Sequence, residues 1–184
     1  MDVAAGQMGI HSDRSVVILG IDPGKNKTGW AFVDKEGNLC LSGIILTSDI
    51  HVFKEVCGSS SDVRERLLEP WIIERRKKLA GIVEFVAVGK GTGSRDAVRE
   101  MRNIGCSLME VDEKNTTLMA RTLYWNLHAP SLWQRFLPRF LRVPPRPLDD
   151  LAAWAIALRG IGLRTGTDLF EGMPDAAEPL ERKI

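Results

Sequence analysis

The 184-residue chain carries 25 lysines and arginines against 24 acids, a formal net charge of +1, and is 44% hydrophobic and 27% charged. That is the composition of one ordinary globular domain with enough chain to bury a core, and no apolar run approaches the roughly 20 residues of a membrane span. Cys40, Cys57 and Cys106 show no CxxC spacing, which argues against a disulfide framework or a zinc site and fits a reducing cytoplasm.

Residues 1–15 lack the charged-then-apolar order of a secretory signal and read as a flexible leader. Val16–Ile21 reads as a buried strand and Thr28–Val33 as a second. The turn DKEGN leads to a third at Leu39–Leu46, so the chain opens as an antiparallel meander. The apolar spacing of Val63, Leu67, Ile72, Ile73 and Leu79 predicts a helix over 62–80, with Asp62 as N-cap and a kink at Pro70. Gly81–Gly91 reads as a strand running into a glycine turn, Ser94–Asn103 as a short helix capped by Ser94, and Cys106–Glu113 as a fifth strand ending in acids. A helix is expected over Asn115–Asn126. A last one, LDDLAAWAIALRG, would be capped by Asp149 or Asp150 and stopped by Gly160. The residues from 161 onward read as a loose tail, which leaves 16–160 as the domain. Hairpins first and alternating elements afterwards predict an α/β fold: a mixed five-stranded sheet flanked by helices.

In such a sheet, chemistry gathers where neighbouring strands end at one edge. Asp22 ends the first strand, Asp112 and Glu113 end the fifth, and Asp149 and Asp150 open the last helix. Clustered carboxylates repel unless hard cations hold them, and all-oxygen sites suit Mg²⁺ or Mn²⁺. Each acid also has a plain role as turn former or helix cap. Lys25 and Lys27 follow Asp22 at once, and Lys90 and Arg95 flank the glycine turn. From Arg121 to Leu148 there is no acid, while Arg121, Arg135 and Arg139 alternate with Trp133, Phe136 and Phe140. That block reads either as a surface for phosphates and stackable bases or as an amphipathic helix with its aromatics on the core.

Four blocks resemble one family. GIDPGKNKTG, Gly20–Gly29, is similar to the G-x-D-P-G-x-x-x-T-G opening of the RuvC/YqgF branch of the RNase H-like superfamily. VEFVAVGKGTGSRDAVREM resembles the glycine-rich strand-to-helix turn of YqgF-type proteins, including the YqgF-like domain of Tex. VDEKNTT is similar to the D-E-R-x-T-T segment, and DDLAAWAIAL to the closing D-x-x-A-A helix. The resemblance implies an RNase H-like sheet and a metal-dependent nuclease, acting in ribosomal RNA 5′-end processing or Holliday-junction-type cleavage. It implies Mg²⁺ or Mn²⁺ held by Asp22, Glu113 and Asp150, with Asp149 as alternate. RNA or branched DNA would be the partner, met by Lys25, Lys27, Lys90, Arg95, Arg121, Arg135 and Arg139, and junction cleavage would favour a homodimer. Gly89-Lys90-Gly91 stands where RuvC carries a fourth-strand glutamate, and Lys114 where the D-E-R arginine would be. A chain that kept the fold as a nucleic-acid-binding or scaffold protein, without catalysis, is the alternative.

Overall fold

The computed structural model describes residues 15–91, 94–102, 104–138, 141–167 and 169. One six-stranded sheet runs through it in the order β4-β3-β2-β1-β5-β6. The strands are β1 (Val16–Pro23), β2 (Lys27–Val33), β3 (Leu39–Leu46), β4 (Ile72–Arg75), β5 (Ile82–Gly89) and β6 (Ser107–Val111). β1 pairs antiparallel with β2, and β2 with β3, whereas β5 pairs parallel with both β1 and β6. The mixed α/β architecture is the expected one, with six strands in place of five.

The extra strand lies within the stretch expected to be helical over 62–80. Only α2 (Ser61–Leu68) forms there. Glu69–Trp71 makes a 3₁₀ turn with Pro70 in its first positions, and Ile72–Arg75 then pairs antiparallel with β3 at the sheet edge. Pro70 ends the helix rather than kinking it. The apolar spacing beyond it mimics a helix because Ile72 and Ile73 are adjacent on a four-residue strand too short to show alternation. Asp62 is not the cap; that position is Ser60. A further helix, α1 (Ile50–Gly58), buries Ile50, Phe53, Val56 and Cys57 and had no counterpart in the expectations.

Strand alternation sends residues to opposite faces of the sheet. Val17, Leu19 and Ile21 of β1 join Trp30, Phe32, Leu41, Phe53 and Met101 in the core beneath α1, α2 and α3 (Ser94–Met101). Ile18 goes to the other face, with Ala31, Phe85, Ala87 and Val111, under α4 (Thr116–Leu127) and α5 (Asp149–Thr165). By the same alternation Gly20 and Asp22 lie on the α5 face.

Small residues let α5 approach the sheet closely. A Cβ on Gly20 would run into the Ala153 carbonyl, and one on Gly29 into the Asp149 carbonyl. The Trp154 indole donates to the Gly37 carbonyl at 2.9 Å and pins the helix to the β2–β3 turn. Gly160 does not stop the helix as expected, because it packs against Ala87 and Phe85 of β5. The helix runs on to Thr165 and closes at Gly166 in the left-handed conformation, φ +72°. No helix among the described residues is long and apolar enough to cross a membrane.

Candidate functional site

The carboxylates gather at one end of the sheet, on the α5 face. Asp22 sits opposite Gly29 in the β1–β2 ladder, and Gly29 touches the backbone of Asp149. Three residues of the GIDPGKNKTG block therefore act as spacers and struts rather than as ligands. Gly29 lets the start of α5 come down beside Asp22. The Gly24 N–H donates to the Lys27 carbonyl at 3.0 Å to close the hairpin turn. Buried Thr28 shares a 3.0 Å hydrogen bond with the Thr47 hydroxyl, which in turn donates to the Gly24 carbonyl at 3.0 Å.

Glu113 arrives from the far side of β5. Its carbonyl accepts from the N–H and the hydroxyl of Thr116, at 3.0 and 2.8 Å, while Asn115 turns the chain at φ +66°. Its carboxylate lies over the end of β5, where Oε1 accepts from the Gly91 N–H at 2.9 Å. A Cβ at Gly89 or Gly91 would collide with that carboxylate. Glycine at positions 89 and 91 thus leaves room for an acid delivered from the end of the next strand.

Asp22 records the convergence. Its carboxyl is pushed from the ordinary 3.8 up to about 7, first by burial and then by the negative charges of Glu113 and Asp149. Between about pH 4 and pH 7 the unfolded chain has released this proton and the folded chain still holds it. Stability of the metal-free protein therefore falls as pH rises through that window, by up to about 1.4 kcal/mol per pH unit, and levels off above it. Urea unfolding in EDTA should show Asp22→Asn gaining on the wild type between pH 5 and pH 8. Parallel pH profiles for the two proteins would remove the electrostatic coupling.

Asp150, the acid favoured from the sequence, is turned elsewhere. It is wholly buried. Oδ2 accepts from the Ser42 hydroxyl at 2.9 Å, and Arg146 grips both oxygens at 2.7 and 3.2 Å. The same guanidinium donates to Glu74 Oε1 at 2.9 Å, an oxygen also 2.6 Å from His128 Nε2. Burial would raise the Glu74 pKa, but the hydrogen bonds from Arg146 and His128 prevail and hold it below the usual carboxylate value. This network ties β3, β4, the end of α4 and the start of α5 together. Neither acid is a side-chain cap: the N-cap of α5 is Leu148, and Asp149 and Asp150 lie in its first turn. Arg146 reaches Asp150 from the loop that precedes α5.

Asp112 is exposed and accepts from the Lys114 N–H at 2.9 Å. Lys25, Lys27 and Lys90 are exposed on the turns at the ends of β1, β2 and β5; Arg95 is exposed on α3, and Arg121 is half-buried on α4. Arg135 is exposed within a 3₁₀ turn, Gln134–Phe136, whereas Arg139 lies outside the described residues, as do Phe140 and residues 92–93 of the glycine turn. The amphipathic-helix reading of the basic block does not hold, since Trp133 is 66% and Phe136 90% exposed.

An all-carboxylate set suits a hard divalent cation. Among the described residues, no group of three or more His, Cys, Asp or Glu side chains stands where it could hold a metal ion.

No protein-family model matches the chain, and no curated protein matches it. Among solved structures, the chain is similar to T. thermophilus RuvC in complex with Holliday junction substrate, at 19% identity over 83% of this chain and 97% of that one, with a TM-score of 0.48. It is also similar to a second Thermus thermophilus RuvC structure, at 19% identity over 82% and 97%, with a TM-score of 0.44.

Proposed function

We propose that the chain is a YqgF-type nuclease that hydrolyses phosphodiesters in structured nucleic acid with the help of Mg²⁺ or Mn²⁺. The observation that carries this reading is the convergence of Asp22, Glu113 and Asp149: burial, and after it the charges of Glu113 and Asp149, push the Asp22 carboxyl up to about 7. In this reading Asp149 takes the third position and Asp150 holds the helix that presents it. A divalent ion between such carboxylates supplies Lewis-acid activation of the phosphodiester and a more acidic water.

The chain's own residues do the rest. Asp22 gives up its proton when the cation arrives, so binding strengthens as pH rises toward 7. The Gly91 N–H fixes Glu113. The first turn of α5 places positive dipole beside Asp149 and an incoming phosphate. Lys25, Lys27 and Lys90, exposed on the adjoining turns, would meet flanking phosphates.

That no group of three acids, histidines or cysteines among the described residues stands where it could hold a metal ion favours a second reading, a binding protein without turnover. Labelled RNA and four-way DNA junctions, incubated with Mn²⁺ or with EDTA, separate the two. Cleavage confined to Mn²⁺ is expected; tight binding with no product in either condition would assign the chain to the second.

A further inference from the structure

The segment between α4 and α5 displays aromatic surface that the fold does not use. Leu132 is 77%, Trp133 66% and Phe136 90% exposed, three large apolar side chains within five residues. Single exposed apolar residues are unremarkable, but a cluster of this kind marks a binding surface. Among the described residues neither ring has an aromatic partner.

The segment is nevertheless held in shape by hydrogen bonds. The N–H and hydroxyl of Ser131 both donate to Gln134 Oε1, at 3.0 and 2.8 Å. The Arg135 N–H donates to the Ser131 carbonyl at 3.1 Å, and the Phe136 N–H to the Trp133 carbonyl at 3.3 Å. Arg142 clamps the turn from behind, with Nε on the Leu137 carbonyl at 3.0 Å and Nη2 on the Arg135 carbonyl at 3.2 Å. A 3₁₀ turn brings positions i and i+3 to one side, so Trp133 and Phe136 share a side, and exposed Arg135 lies between them in sequence.

We infer that Trp133 and Phe136 form a stacking platform for unpaired nucleobases, with Arg135 on the adjoining phosphates. Charge favours this occupant: the chain from Arg121 to Leu148 carries five arginines and no acid. Flat π-surface beside guanidinium is the chemistry that takes single strands without reading sequence. A continuous duplex offers no free base faces except at its ends, so the platform selects loops, flaps and open junctions. The segment leads into α5, whose first residue is Asp149, with Arg146 fixing the join. The inference deepens the nuclease reading by naming its substrate class, and rests on it only for cleavage.

The test measures binding by the full chain in EDTA, so that loss of cleavage cannot imitate its failure. The probes are oligo-dT and oligo-rU of about 12 nucleotides, a site length usual for stacking surfaces, and a blunt duplex of equal length. Each stacked ring contributes about 1–3 kcal/mol, so Trp133→Ala with Phe136→Ala should weaken single-strand binding at least about 30-fold. Duplex binding should stay within about threefold, and Trp133→Phe should recover most of the loss. Unchanged single-strand affinity, or an equal loss on duplex, would overturn the platform. If the double variant instead lost self-association, or binding to anionic phospholipid vesicles, with oligonucleotide affinity intact, the surface would belong to a second copy or to a lipid. Both rings are exposed, and unchanged circular dichroism would show that the variants fold.

Discussion

Asp22→Asn should lower divalent-dependent cleavage by at least about 1000-fold while leaving nucleic-acid affinity within about threefold. Three decades correspond to about 4 kcal/mol of transition-state stabilisation, an amount a bound divalent ion can supply. Asparagine keeps the size and one oxygen but removes the charge that has to attract the cation. The fold should not suffer, because the wild-type carboxyl is itself held largely protonated below about pH 7. Asp149→Asn and Glu113→Gln should also be severe. Asp150→Asn should be far milder in activity, since its oxygens are engaged by Ser42 and Arg146. A folded Asp150→Asn protein as inactive as Asp22→Asn, with Asp149→Asn still active, would reverse the assignment of the two neighbouring acids.

Arg146→Ala should lower unfolding stability by about 3–5 kcal/mol, measured by urea denaturation at pH 7. Breaking a buried ion pair from one side leaves the partner charge without compensation. Here Asp150, wholly buried, loses its cation, while Glu74, 9% exposed, loses one partner and keeps Arg76 at 3.2 Å and His128 at 2.6 Å. A domain of ordinary stability, about 5–15 kcal/mol, would be left marginal. Arg146→Lys keeps the charge but not the planar fork that reaches both oxygens of Asp150 and Glu74 together, so its loss should be smaller yet real. Arg146→Leu combined with Asp150→Asn should recover much of the loss, because the uncompensated charge is then gone. A loss under about 1 kcal/mol for Arg146→Ala would show that the network adds little to the fold.

The two acids illustrate what one sequence can and cannot reveal. That acids would gather beyond the strand ends was legible from Asp22, from the DE pair after β6 and from the DD pair before α5. Which member of DD faces the edge was not, because adjacent residues at a helix start point in different directions and both suit the first turn. Nor did the run of arginines show that Arg146, in the loop before α5, would take Asp150 as its partner. The meander, β5, α3, β6, α4 and α5 were legible from period and turn chemistry. β4 was not, since four residues cannot show alternation, and Ile72 and Ile73 fitted a helix equally well. The basic block was misread in one alternative for a related reason: five prolines and a 3₁₀ turn place its aromatics outward, and tertiary context rather than apolar spacing set their exposure. The motif glycines gained a physical reason only in three dimensions. Gly20 and Gly29 admit α5, and Gly89 admits the Glu113 carboxylate.

The most direct measurement is anomalous diffraction at the manganese edge from crystals soaked in Mn²⁺ near pH 8, where Asp22 is ionised. A peak bounded by Asp22, Glu113 and Asp149, with Asp150 still gripped by Arg146, is the predicted result. Well-ordered carboxylates with no manganese among them, or an ion bound to Asp150 with Arg146 displaced, would contradict it.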